Sequence, residues 1–206
     1  MFVAPRDRGL VSQVAASLGA RLHAEQLERL ARYAELVATW NARVNLTGAK
    51  DARALADVLF ADAFVLADER FVARGARVVD VGAGAGAPAL PLAILRPGVH
   101  VTLIEPLRKR VAFVRTAIGT LDLGERATVD ERRLEGPEIA GAPFDVALSR
   151  ATFEPSVWLR LGRALATRVL VLSGAEPLPE GALDSRAYAL PFGGSPRRVG
   201  IYPGSV

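Results

Sequence analysis

Cysteine is absent from these 206 residues, and histidine occurs only at His23 and His100. Disulfides, a thiolate nucleophile and a zinc cluster built on cysteine or histidine are therefore excluded by inventory, and no metal is expected. The two histidines are read as structural, His23 on a helix face and His100 at a strand start. Long apolar runs are missing too: none approaches the ~20 residues of a membrane span. The opening MFVAPRDRGLV carries Pro5, Asp7 and two arginines where a secretory leader needs an unbroken apolar core. The sequence thus predicts a cytoplasmic protein with no membrane partner. Lysine is almost missing, since Lys50 and Lys109 are the only two, and the net charge of +4 rests on arginine. Arginine makes planar, bidentate contacts with phosphate, which suits a polyanion such as RNA. The same excess also describes an ordinary solvated surface, and charge alone favours that plainer reading.

Half of the residues are hydrophobic, enough for one domain with a sizeable core. From Leu22 onward, apolar residues at Leu27, Leu30, Tyr33, Ala34, Val37, Trp40 and Val44 share one helical face. A second helix starts at Asp51 as N-cap and turns Leu55, Val58, Leu59, Ala63 and Leu66 inward, with NLTGAK between the two. Residues 1–70 read as a helical extension packed on a core formed by residues 71–206.

After Gly75 the pattern becomes short β-rich runs, RVVDV, HVTLIE, RATVDE, FDVALS and RVLVLS, with helices near 88–95, 106–119 and 154–165. Near-continuous apolar strands alternating with helices predict a parallel sheet covered on both faces. SRAYALPF, GGSP and RRVGIY then read as two strands joined by a tight turn, an antiparallel hairpin at the sheet edge. The expected fold is α/β: a doubly wound, mostly parallel seven-stranded sheet of Rossmann-like class, with an N-terminal helical extension.

The run VVDVGAGAGAPALPLAIL places Asp80 at the end of the first strand and Gly82, Gly84 and Gly86 at alternate positions before a helix. Glycines there allow a sharp turn and close approach of a ligand to the backbone. Gly82, Gly84 and Ala87 also satisfy the dinucleotide pattern G-x-G-x-x-G/A, so the loop alone fits a nicotinamide cofactor. A carboxylate at Asp80, two residues before the first glycine, is unfavourable beside a pyrophosphate and suits a cationic ligand. S-adenosylmethionine has an ammonium, a sulfonium, no phosphate, and a ribose diol that an acid can hold. Glu105, ending VTLIE at the next strand, is that acid.

WNARVNLTGAKDARAL, VVDVGAGAGAPALPLAILRPGVHVTLIEPLRKRVAFVRT, RRLEG and FDVALSRA follow one another in the order and spacing of the RsmG (GidB) family, which this sequence resembles from about Leu22 to Gly174. The resemblance implies an S-adenosylmethionine-dependent enzyme that methylates N7 of a guanine in small-subunit (16S) ribosomal RNA, with residues 71–206 as its cofactor-binding domain. It implies that Gly82 and Ala87 line the methionine and sulfonium end, that Glu105 holds the ribose, and that Leu134 and Glu135 flank the adenine. Arg150 of LSRA would lie at the site entrance. Arg133 and Arg150 are the candidate catalytic groups, and with Arg108, Lys109 and Arg110 they could grip phosphates or a base. Asp80, Gly84, Gly86 and Arg150 complete the expected cofactor site. The working form is expected to be a monomer.

The sequence departs from the family where Leu59 replaces a usual histidine, where Ser173 replaces a lysine, and where Ala87 and Ala89 replace a bulky residue and a glycine. Leu59 and Ser173 fall on the expected RNA side, which predicts slow methylation of the usual guanine; the two alanines predict a wider pocket. A methyltransferase of the same fold acting on another RNA or a small molecule, or a cofactor-binding protein with little turnover, stay open as alternatives.

Overall fold

The structure, a computed structural model, describes residues 7–136 and 138–206. Three helices come first. The stripe read from the sequence begins only at Leu22, yet α1 (Arg8–Ser17) precedes it, started by Asp7, whose Oδ1 accepts the Leu10 N–H at 3.0 Å. This satisfies one of the donors that a helix start leaves without an internal partner. α2 (Ala24–Val44) carries the predicted stripe and ends at Asn45, which turns the chain with φ 54°. His23 is the N-cap of α2 and not a member of its face: its backbone N–H donates to Gln26 Oε1 at 3.0 Å. α3 (Ala52–Leu66) starts as predicted at Asp51, which accepts the Ala54 N–H at 2.8 Å.

A parallel sheet follows, formed by β1 (Arg77–Val81), β2 (His100–Ile104), β3 (Ala127–Asp130), β4 (Phe144–Ser149) and β5 (Ala166–Ser173). α4 (Ala89–Leu95), α5 (Arg108–Thr120) and α6 (Pro155–Gly162) lie between strands, and β6 (Asp184–Ala189) and β7 (Pro196–Pro203) close the chain. The strand order is β3-β2-β1-β4-β5-β7-β6, with β7 antiparallel to both β5 and β6. This is the predicted seven-stranded α/β sheet with its hairpin at one edge. From β1 the chain winds outward through β2 and β3, then returns to place β4 on the other side of β1. The order therefore reverses between β1 and β4, and open sheets of this kind bind ligands outside the strand ends at such a point.

The two faces are covered unequally. Val78, Leu103, Val146, Leu148 and Leu170 pack under the first five helices, whereas Val79, Val81, Ile104, Ala147 and Val169 meet α6 and the segment after β3. No helix joins β3 to β4 among the described residues; Leu134 and Ile139 of that connection lie against the second face instead. Trp158 anchors α6 there, fully buried, with its Nε1–H donated to the Leu170 carbonyl at 2.9 Å. The helical extension shares the larger core. Trp40 of α2 meets Phe113 of α5 edge-on at 5.6 Å, and Tyr33 meets Phe60 of α3 at 6.3 Å.

Two further expectations change. The hairpin connection is not a tight turn at GGSP: β6 ends at Ala189, and Leu190–Ser195 form a wider loop closed by the Leu190 N–H on the Ser195 carbonyl at 2.9 Å. Phe192, expected in the strand, is taken by α3, whose Asp57 accepts its N–H and that of Gly193. Leu59 does not face an RNA surface either. It is 1% exposed inside the larger core, because α3 is enclosed by α1, α4 and the sheet rather than showing one face to solvent. Leu59→Ala should accordingly lower unfolding free energy by roughly 2–5 kcal/mol, read from urea denaturation. Leu59→His should destabilise as well and restore no activity.

Candidate functional site

At the end of β1 the ladder to β2 continues past the strand: the N–H groups of Gly82 and Ala83 donate to the Ile104 carbonyl at 2.8 and 3.1 Å. The loop then turns through three left-handed glycines, Gly82 (φ 78°), Gly84 (φ 58°) and Gly86 (φ 82°), which an L side chain rarely tolerates. Their surroundings differ. A Cβ on Gly82 would lie 2.2 Å from Thr152 Oγ1, so this glycine is needed for the loop after β4 to close against it. A Cβ on Gly84 would meet nothing nearer than the Gly82 carbonyl oxygen at 4.0 Å, so its open side is where a ligand can reach the backbone.

Glu105 is buried just beyond β2, where its Oε2 accepts the Gly84 N–H at 2.8 Å and its Oε1 the Leu107 N–H at 3.0 Å. Each carboxylate oxygen has capacity for a further hydrogen bond. The acid is thus preset between the glycine loop and the start of α5, the position the sequence assigns to a ribose-binding group.

Asp80 is more enclosed than a crevice-facing acid. It is 1% exposed, on the Val78 side of β1, with Tyr33 and Arg150 near enough to interact electrostatically, and its Oδ2 has no hydrogen-bond partner. Burial pushes its carboxyl up to about 7, against the opposing pull of the Arg150 charge and the Ala89 N–H, while Glu105 adds to the rise. A buried orphan acceptor at the switch point is a group that a cationic or hydrogen-bond-donating ligand would satisfy.

Arg150 follows β4 directly. Its Nη1 donates to the Val58 carbonyl at 2.5 Å and to Asp62 Oδ2 at 3.0 Å, and the other Asp62 oxygen accepts the Tyr188 hydroxyl at 2.6 Å. Burial opposes the guanidinium charge, yet Asp62 first, then Asp80 and Tyr33, hold its pKa above the usual value. Arg150 lines a cleft of about 750 Å³ between α3, the end of β5 and the hairpin, with Lys50, Ser173 and Arg197 also on its wall. The Ser173 hydroxyl on that wall is already donated to the Glu176 carbonyl at 3.0 Å.

The structure does not bring Arg133 to Arg150. Arg133 is exposed on the segment after β3 and lines a separate hollow of about 550 Å³ with Leu134, Glu135 and Glu138. Leu134 leans on the core beside Ile104, whereas Glu135 is exposed. Ala87 and Ala89 are 4% and 0% exposed within the core, so their small side chains open no wider pocket. Arg108 is 91% exposed at the start of α5, where Arg110 Nη2 approaches the Asn45 carbonyl at 3.5 Å. Among the described residues no group of three or more His, Asp or Glu side chains could hold a metal, and no helix is long and apolar enough to cross a membrane.

Two supports were not visible as such in the sequence. Tyr33, counted there as one residue of an apolar stripe, donates its hydroxyl to the Ala85 carbonyl at 2.7 Å and props the glycine loop from α2. Ser149 clamps β4 to β1 across the switch point through the Val81 carbonyl at 2.7 Å. A lone tyrosine among aliphatic positions is the signal that could have marked the first.

Comparison with known proteins agrees with this geometry. Residues 26–190 match the family model described as rRNA small subunit methyltransferase G. Ribosomal RNA small subunit methyltransferase G of Myxococcus xanthus is 34% identical over 95% of this chain and 92% of its own length. The protein of the same description from Anaeromyxobacter dehalogenans is 38% identical over 84% and 80%. Among solved structures, a candidate O-methyltransferase from Klebsiella pneumoniae superposes with a TM-score of 0.58 at 16% identity, covering 85% of this chain and 90% of its own. At that identity the likeness speaks for the fold alone.

The orphaned acid yields a test. Asp80 has a native pKa above its unfolded value, so the folded protein binds the extra proton between about pH 4 and pH 7. Stability is then lost as pH rises through that window and stays low above it. Asp80→Asn should raise the thermal midpoint of the ligand-free protein at pH 8, with the gain vanishing below pH 4.

Proposed function

Because the chain belongs to the rRNA small subunit methyltransferase G family, we propose that it transfers a methyl group from S-adenosylmethionine to N7 of a guanine in small-subunit ribosomal RNA. The observation that carries the reading is the pair of buried acids at the switch point, Asp80 with an unpartnered oxygen and Glu105 preset between Gly84 and Leu107. These residues fit the cofactor: Glu105 would accept the ribose hydroxyls, Asp80 would compensate the positive methionine end, and Leu134 would offer an apolar surface to the adenine. When bound, S-adenosylmethionine supplies an electrophilic methyl group on a positively charged sulfur.

The remaining chemistry suits a site with no thiol and no histidine pair. Guanine N7 carries an unprotonated lone pair on the major-groove edge. With the cofactor held by Glu105 and Asp80, that lone pair would take the methyl group it supplies, and the departing sulfur would keep the bonding electrons. No proton is transferred, so no general base is required. The protein's part is to hold the acceptor in line, and positioning alone can contribute several powers of ten. The cleft beside the switch point is where the acceptor would enter, and it is large enough for a nucleotide. Exposed Lys109, and Arg108 in place of its exposed ion pair with Glu131, would meet backbone phosphates outside it.

Calorimetry should show S-adenosylmethionine binding, weakened roughly 10-fold to 150-fold by Glu105→Ala as charged hydrogen bonds to the ribose are lost. Purified protein given labelled cofactor and small subunits lacking the modification should place label on one guanine, mapped by chemical cleavage at 7-methylguanine. Preference for NADH would overturn the cofactor reading, and label on another base or a small molecule would overturn the acceptor. Ser173→Lys, which extends a cation into the cleft, should raise the methylation rate while leaving cofactor affinity unchanged.

A further inference from the structure

β7 carries two arginines in succession, and a strand turns successive side chains to opposite faces of its sheet. The two are employed differently. Arg198 serves the fold: its Nη1 donates to the Gly174, Ala175 and Glu176 carbonyls at 3.3, 2.7 and 3.2 Å, tying down the chain that leaves β5. Arg197 is half-buried, and its guanidinium makes no hydrogen bond or ion pair with another described residue. Its direction is set by its neighbours in the sheet. It pairs with Tyr188 of β6, and paired residues share a face, so it points the way of the hydroxyl that reaches Asp62. On its other side, the register that sets Ser173 opposite Arg198 brings Arg197 against Gly174, where a Cβ would lie 3.1 Å from its Nη1. The missing side chain leaves the guanidinium room over the end of β5, on the wall of the cleft that β5 shares with α3.

A cation taken half out of water without a counter-charge is costly, and an anion arriving beside it relieves that cost. The cleft's own acids do not do so. Asp62 is engaged by Arg150 and Tyr188, Asp57 by the Phe192 and Gly193 N–H groups, and Asp51 by the start of α3. Neither these nor exposed Glu176 makes an ion pair with Arg197. A base edge offers neutral acceptor atoms, whereas a nucleotide's phosphate offers a full charge and two oxygens spaced to match the planar guanidinium fork. Lys50 lines the same cleft, but it is exposed and lacks that enclosure. We propose that Arg197 is a substrate-binding residue that takes the backbone phosphate of the acceptor nucleotide, so that the edge hairpin shares in holding the acceptor within the cleft. The inference rests on the ribosomal RNA reading above.

The test neutralises the two partners in turn. Small subunits are reconstituted with RNA in which the linkage on the 5′ or the 3′ side of the target guanine is an uncharged methylphosphonate, with a 2′-deoxy sugar before it. The same RNA with an ordinary phosphate is the reference. For the unmodified protein, one of the two neutral linkages should lower kcat/KM at least about tenfold, the loss of a charged hydrogen bond. Arg197→Gln should lower kcat/KM on the reference by a similar factor and leave S-adenosylmethionine affinity within about twofold of the parent protein. It should lose nothing further with that neutral linkage, because the pair is already broken. Arg197→Lys, which keeps the charge but not the fork, should restore part of the rate and part of the penalty. Arg198→Gln, which loosens the chain beside the same cleft, should keep the full penalty, as any merely structural defect would. An undiminished penalty in folded Arg197→Gln, or no penalty from either neutral linkage with the unmodified protein, overturns the proposal. Should Arg197→Gln fail to fold, Arg197→Lys takes its place, and a penalty equal to the parent's overturns the proposal. No methylation of the reference guanine by any form counts instead against the function proposed above.

Discussion

The ion pair between Asp62 and Arg150 is the contact on which the site depends. Two charges withdrawn from water are costly unless each finds a close, well-aligned partner, and removing one partner of such a pair typically destabilises by roughly 3–5 kcal/mol. Here the pair spans α3 and β4, and it is completed by Tyr188 of the edge hairpin. The hairpin is therefore more than an edge cover. Through Tyr188 it sets the second oxygen of Asp62, and through the Phe192 and Gly193 N–H groups it sets Asp57 one and a half turns earlier on the same helix. A helix that reads as wholly apolar in its interior turns out to carry two acids on the side where the chain's last strands meet it.

Much of this fold is legible in the sequence because its signals are local. Asp51 caps α3, the apolar runs give the strands, and the reversal of strand order follows from right-handed crossovers between them. What could not be read depends on distant partners. The loop at Leu190–Ser195 widens because Asp57 takes two of its backbone donors, and a residue 135 positions away leaves no trace in the local pattern. Likewise α3 looks one-sided by period but is enclosed on nearly every side, which moves Leu59 from an expected surface into the core.

The site divides along the same line. Glycine spacing and acids at strand ends are local features, so the pattern alone places Gly84 in the loop after β1 and Glu105 at the end of β2, where the structure joins them. The resemblance pairs Arg133 with Arg150 as candidate catalytic groups, but the connection after β3, without a helix among its described residues, carries Arg133 into its own hollow. The roles of Tyr33, Asp62 and Tyr188 leave no local signal, because each acts through a contact across 52, 88 or 126 residues. Their chemistry was visible; their partners were not.

The buried acids of this region differ in how completely they are satisfied, and the difference singles out Asp80. Asp57 accepts two loop N–H groups, Asp62 accepts an arginine and a tyrosine, and Glu105 accepts two backbone N–H groups, one on each oxygen. Asp80 alone among these four leaves an oxygen without a partner, although it is as deeply enclosed as any of them. Leaving such a group unpaired costs more than a typical hydrogen bond contributes. A protein selected for stability alone would be better served by an apolar residue at this position of β1. The unsatisfied acid is instead the one beside the glycine loop, at the switch point, and opposite the clamped Arg150. There a bound cationic group would supply the missing partner, so the cost of burying Asp80 would be recovered as affinity for that group.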